Sequence, residues 1–138
     1  MGKDNNIAAS HRNTIMICED DPGLLQTIEQ IVGSKYITIA VGSGIECLSR
    51  YIDEKAKGNQ IDVLLVDYEL QDLPGDIIAS TVRELSGNRR LTHTILIAAV
   101  GLDRELIEEL KIKEYITKSL EKPICADALM AILEEVIP

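Results

Sequence analysis

The chain has no Trp and no Phe, and its aromatic content stops at four Tyr. A core for its 138 residues must therefore be built from Ile, Leu, Val and Ala. Positive charge is also scarce: 14 Lys and Arg stand against 23 Asp and Glu, for a net charge of −9. That balance argues against direct contact with nucleic acid, which needs clustered cations for its phosphates. No apolar run approaches the roughly 20 residues that a bilayer span requires. The opening "MGKDNNIAASHRN" has no apolar centre of the kind a secretory signal carries. We read residues 1–13 as a flexible leader and 14–138 as one domain, with a cytoplasmic location and no membrane contact. Cysteine is limited to Cys18, Cys47 and Cys125, widely spaced and without a Cys-x-x-Cys pair, so zinc and thioredoxin-like chemistry are disfavoured. All three fall in apolar patterns and are expected to be reduced core residues.

What the chain does contain is alternation. Short apolar runs rich in β-branched residues, "TIMIC" (14–18), "YITIAV" (36–41), "IDVLLV" (61–66), "TILIAAV" (94–100) and "YITKSL" (115–120), read as strands. Between them lie segments with helical spacing. Asp21 followed by Pro22 is a strong helix start, and Leu24, Leu25, Ile28, Ile31 and Val32 follow it until Gly33. Ser43 caps a second helix, with Ile45, Leu48 and Ile52 expected on its buried face and "DEKAKGN" (53–59) as a polar exit. A third helix is expected from about 76 to 85, a fourth from Leu102 to Lys111, and a closing one carries Cys125, Leu129, Ile132, Leu133 and Val136. Strand and helix alternate five times, and central strands apolar throughout need cover on both faces. The expected fold is α/β: a doubly wound, five-stranded parallel sheet with helices on both faces.

In such sheets sites form at the carboxyl ends of the strands. Those ends hold Glu19, Asp20 and Asp21 after the first strand, Asp67 after the third, Ala99 after the fourth, and Lys122 with Pro123 after the fifth. Two like charges 4 Å apart repel by about 4 kcal/mol at an effective dielectric near 20, so the first cluster needs a compensating partner. Carboxylates from two strand ends, a carbonyl and waters make an oxygen-ligand site suited to Mg²⁺, and a lysine would balance an anion. A carboxylate is also a nucleophile toward phosphorus.

"ICEDD", "LLVDYEL" and "EKPI", in that order at three strand ends, resemble the receiver domain of two-component response regulators over residues 14–137. The resemblance implies a flavodoxin-like receiver fold and a phosphoacceptor signalling domain, one that catalyses no reaction beyond its own phosphorylation and dephosphorylation. It implies Asp67 as phosphoacceptor, Asp20 and Glu19 as metal ligands (Glu19 largely through water) with Asp67 and the Glu69 carbonyl, and Mg²⁺ as cofactor. Lys122 would pair with the phosphoryl group, and the Lys122–Pro123 bond is often cis in the family. A histidine kinase or histidine phosphotransfer protein would be the donor, and a downstream protein the target.

Two positions depart from the family. Its hydroxyl-bearing residue at the end of the fourth strand is Ala99 here, and its aromatic three before the lysine is Ser119. Both belong to the conformational switch, so an altered or weakened switch is expected. A Pro often found four residues after the phosphoacceptor is Gln71, with Pro74 later, and Glu69 adds an acid at the entrance. The alternative is a pseudo-receiver that binds partners without switching. A haloacid-dehalogenase-type phosphohydrolase is disfavoured, because "DYE" follows the third strand and no Asp-x-Asp follows the first. Against these functional readings, Asp21 is expected to be a helix cap, His11 and His93 surface residues, and "DRELIEELKIKE" (103–114) a solvated helix face with Glu–Lys support.

Overall fold

The computed structural model describes residues 12–87 and 92–137. The leader up to His11 and the stretch 88–91 lie outside the described residues. The elements run β1 (Thr14–Cys18), α1 (Pro22–Gly33), β2 (Ile37–Val41), α2 (Gly44–Ala56), β3 (Val63–Asp67), α3 (Gly75–Ser86), β4 (His93–Ala98), α4 (Arg104–Ile112), β5 (Lys118–Glu121) and α5 (Ala126–Val136). All strand pairs are parallel, in the order β2-β1-β3-β4-β5. This is the doubly wound α/β sheet that the alternation predicts.

Strand period two divides the core into two layers. Met16, Cys18, Leu64, Val66 and Leu96 face α2, α3 and α4, where they meet Cys47, Tyr51, Ile78, Ala79, Val82 and Leu110. Ile15, Ile17, Val63, Leu65, Ile95 and Ile97 face α1 and α5, against Ile28, Val32, Leu129 and Leu133. With no large aromatic to fill space, close packing of branched aliphatics carries the fold, and truncating one such Leu costs about 2–5 kcal/mol.

Caps account for several helix starts. Asp21 accepts from the Gly23 N–H and so caps α1. Ser43 accepts from the Glu46 N–H, and Glu46 reaches back to the Gly42 N–H at 2.8 Å, a variant of the capping box.

The structure corrects four sequence expectations. Ile45 and Ile52 do not lie on the buried face of α2: they are 65% and 52% exposed. The buried face is Gly44, Cys47, Tyr51 and Glu54, because Tyr51 hydrogen-bonds Ser86 and Thr92 at 2.8 and 2.7 Å under the sheet edge. Gly44 sits so close to α3 that a Cβ there would collide with Ile78. Second, α2 continues through the expected polar exit to Ala56, held by an Arg50–Glu54 pair and the Asp53–Lys57 pair. Third, Cys125 is exposed at the N-cap of α5, whereas Cys18 and Cys47 are buried as expected. Fourth, β5 begins at Lys118, not Tyr115: a turn with Glu114 at positive φ delivers the chain, and Tyr115 packs against the α2–α4 layer instead. The expected Glu–Lys support on α4 is present as Glu108–Lys111 and Glu109–Lys113 pairs. His93 is exposed, with Nδ1 at 3.1 Å from the Thr117 hydroxyl.

Candidate functional site

Strand order reverses between β1 and β3, and the sheet register fixes what meets there. Cys18 pairs with Val66, so the next residues, Glu19 and Asp67, leave the sheet side by side. Ala98 pairs with Glu121, which places Lys122 beside the end of β4, its N–H bonded to the Ala98 carbonyl at 2.9 Å. The Lys122 Nζ reaches Asp67 Oδ2 at 2.6 Å and Glu19 Oε1 at 3.9 Å. The Lys122–Pro123 peptide is cis, as the resemblance implies.

Glu19 and Asp67 are 2% and 1% exposed, so two carboxylates share one ammonium in a nearly water-free corner. Burial pushes the Glu19 carboxyl up to about 7, and its closeness to Asp67 adds to this; the Asp21 N–H and Lys122 pull the other way. For Asp67 burial again acts upward and is the largest influence. It is outweighed by Glu19, by Lys122 and by the Glu69 N–H, which donates to Oδ1 at 2.8 Å, so Asp67 sits below the usual carboxylate range. Lys122 is held above its ordinary value because Asp67 and Glu19 overcome its desolvation. The corner therefore keeps Asp67 ionised and leaves Glu19 as the easier group to protonate.

The structure brings Glu19, Asp67 and Lys122 together, but not Asp20. Its Oδ2 accepts the Gln71 N–H at 2.9 Å instead. Among the described residues no group of three or more His, Cys, Asp or Glu side chains is assembled to hold an ion. The chemistry of the donors nonetheless fits a hard cation: all are oxygen, and Glu19 Oε1 is buried with no hydrogen-bond partner. Glu69 is exposed beside the entrance.

The Ala99 and Ser119 region differs. A cavity of about 860 Å³ opens between β4, β5 and α4, lined by Ala98, Ala99, Leu102, Ile107, Ser119 and Leu120 among others. An aromatic side chain at 119 would occupy part of it.

One residue went unnoticed in the sequence. Asp72, five residues after Asp67, accepts the Gly44 and Ile45 N–H groups at 2.9 and 2.8 Å and so caps α2 from a distant loop. Sequence gives no sign of this, since capping is looked for next to a helix, not 28 residues away.

No protein-family model and no curated protein matches the sequence. Solved structures do match the fold. A response regulator receiver domain protein from Clostridium thermocellum aligns with a TM-score of 0.74 at 22% identity, over 91% of this chain and 94% of that one. The chemotaxis response regulator CheY4 of Vibrio cholerae gives 0.73 at 20% identity, over 91% and 98%. The fold is that of receiver domains. An adenylate cyclase structure from Rhodopirellula baltica also shares it, with 0.79 at 20% identity over 91% and 87%. Among the described residues no helix is long and apolar enough to cross a membrane.

Proposed function

We propose that the receiver fold serves two-component signalling here, by accepting a phosphoryl group on Asp67 in a Mg²⁺-dependent reaction. The observation that carries this reading is the 2.6 Å contact of the half-buried Lys122 with the buried Asp67 at the strand ends, with Glu19 beside it. A lysine–aspartate pair at the switch point of a parallel sheet is a charge arrangement with little structural return, because burying ions costs more than a well-packed apolar pair.

The chain's own residues supply positioning and charge, which phosphoryl transfer chiefly demands. An oxygen of the ionised Asp67 carboxylate attacks phosphorus. The bond from phosphorus to the donor's nitrogen or oxygen breaks, and its electron pair leaves with the donor. No general base is needed, since Asp67 is held below the usual carboxylate range. Lys122 is placed to follow the charge from the carboxylate to the phosphoryl oxygens. Glu19, Asp20, Asp67 and the Glu69 carbonyl would hold Mg²⁺, whose chemistry is to offset the phosphoryl charge. The donor is a histidine kinase or phosphotransfer protein, and the output is an altered switch, because Ala99 has no hydroxyl and Ser119 no ring.

The test is intact mass after incubation with Mg²⁺ and acetyl phosphate. One added phosphoryl mass is expected, absent with Asp67→Ala and with EDTA. No added mass, with a histidine-kinase donor failing as well, would favour the second reading: a non-switching pseudo-receiver that acts by protein interaction. The cavity beside Ala99 and Ser119 is the observation on that side.

A further inference from the structure

The β3–α3 loop, residues 68–74, is tied at four places. Its start is held by the Glu69 N–H on Asp67. Its middle is held by the Gln71 N–H on Asp20. The next residue, Asp72, holds α2 through both carboxylate oxygens, on the Gly44 and Ile45 N–H groups. Its end is fixed by the Gly75 N–H on the Tyr68 carbonyl, and a Cβ on Gly75 would overlap the Asp67 carbonyl. Two adjacent residues thus join the acid cluster to a helix start on the other layer of the sheet.

We propose that Asp72 is a coupling joint: occupancy of Asp20 and Asp67 is passed through the Gln71–Asp72 segment to the N-terminus of α2. The inference rests on the proposed function. Asp20 is tied to this loop directly, its Oδ2 accepting the Gln71 N–H at 2.9 Å. A ligand that draws this carboxylate toward Glu19 and Asp67 must either break the Gln71 bond or carry Gln71 with it. The loop cannot absorb the movement at its far end, where Gly75 abuts the Asp67 carbonyl. The displacement therefore falls on Asp72, which supplies the acceptors for two of the four N–H groups that a helix start leaves without intrahelical partners. A carboxylate at a helix N-terminus is also favoured by the helix dipole, so moving it changes the order of that turn. Both bonds are short, and the Ile45 N–H first and then that of Gly44 hold the Asp72 carboxyl below its usual range. Ile45 is 65% exposed, so reordering of this turn alters what the surface presents. This route bypasses the α4–β5 side, where the hydroxyl and ring are missing.

The experiment is a set of ¹⁵N amide spectra of the full chain in EDTA, in Mg²⁺, and in Mg²⁺ with beryllofluoride as a phosphoryl mimic. The expected result is that Gly44 and Ile45 move together with Glu69 and Gln71. In Asp72→Asn, which keeps one side-chain acceptor, the Glu69 and Gln71 shifts persist while those of Gly44 and Ile45 fall by at least half. Unchanged Gly44 and Ile45 shifts in Asp72→Asn overturn the joint. Movement at Glu69 and Gln71 with none at Gly44 and Ile45 in the parent chain overturns it too, and leaves the proposed function standing. Stillness at all four overturns both.

Discussion

At the ends of β1 and β3 the molecule keeps everything that charge chemistry needs. Buried Glu19 and Asp67 meet a half-buried Lys122, and each is shifted by the others. Two strands away, between β5 and α4, the side chains shrink to Ala99 and Ser119 and a cavity stands in their place. The two regions share the strand β5, which carries Ser119 and leads into Lys122, yet one is crowded with buried charge and the other is not. Buried charges and small side chains are thus kept apart in sequence, even though the two regions adjoin in space. The difference teaches that a dense charge cluster at the strand ends does not require a filled neighbour at the next strand.

The comparison breaks most visibly if Lys122 is removed. Lys122→Ala leaves two buried carboxylates without their ammonium, and a loss of about 3 kcal/mol in unfolding free energy is expected. Denaturant unfolding in EDTA measures it, and added Mg²⁺ should restore part of the loss. A change under about 0.5 kcal/mol, the level of an ordinary surface substitution, would mean that the corner is wetter than its geometry says.

A smaller effect follows from pH. Glu19 titrates near 7 in the folded chain against 4.5 when unfolded. The unfolded state therefore loses this proton first, and stability contributed by the protonated group declines as pH rises from about 4.5 through 7. The thermal midpoint in EDTA should be lower at pH 8 than at pH 5. Glu19→Gln should flatten the dependence, and a parent midpoint that rises over this interval would contradict it.

Next comes the quiet side. Ala99→Thr with Ser119→Tyr should occupy part of the cavity, change stability by about 1 kcal/mol or less, and spread beryllofluoride-induced amide shifts over residues 100–120. Shifts already that broad in the parent chain would contradict the weakened switch. The smallest effect is expected at Ile52→Gln and Ile112→Gln, both exposed on helices. Each should stay within about 0.5 kcal/mol in unfolding free energy.

Much of the fold was legible because local signals agreed. Apolar β-branched runs, Asp21 before Pro22, and Ser43 as a cap all point the same way as the sheet. The acids at the strand ends were legible too, because parallel topology sends those ends to one edge. What failed was the helix face of α2. Ile45 and Ile52 are as apolar as the true face, to which Leu48 does belong in part, and the choice was made by contacts distant in sequence: Tyr51 with Ser86 and Thr92, and Gly44 against Ile78. The side-chain direction of Asp20 was equally hidden, because it depends on an N–H 51 residues away. Cys125 was misjudged for a simpler reason: an apolar neighbourhood in sequence says nothing about which side of a helix cap faces water.

The missing tryptophan has a practical side. Tyrosine emission is ordinarily drained by any nearby indole, and here there is none. Tyr68 directly follows Asp67 and packs partly into the α2–α4 layer, while Tyr51 sits in a hydroxyl cluster with Ser86 and Thr92. The molecule thus carries one natural fluorophore next to its acid corner and three elsewhere, so that replacing Tyr36, Tyr51 and Tyr115 by Leu would leave emission from the corner alone.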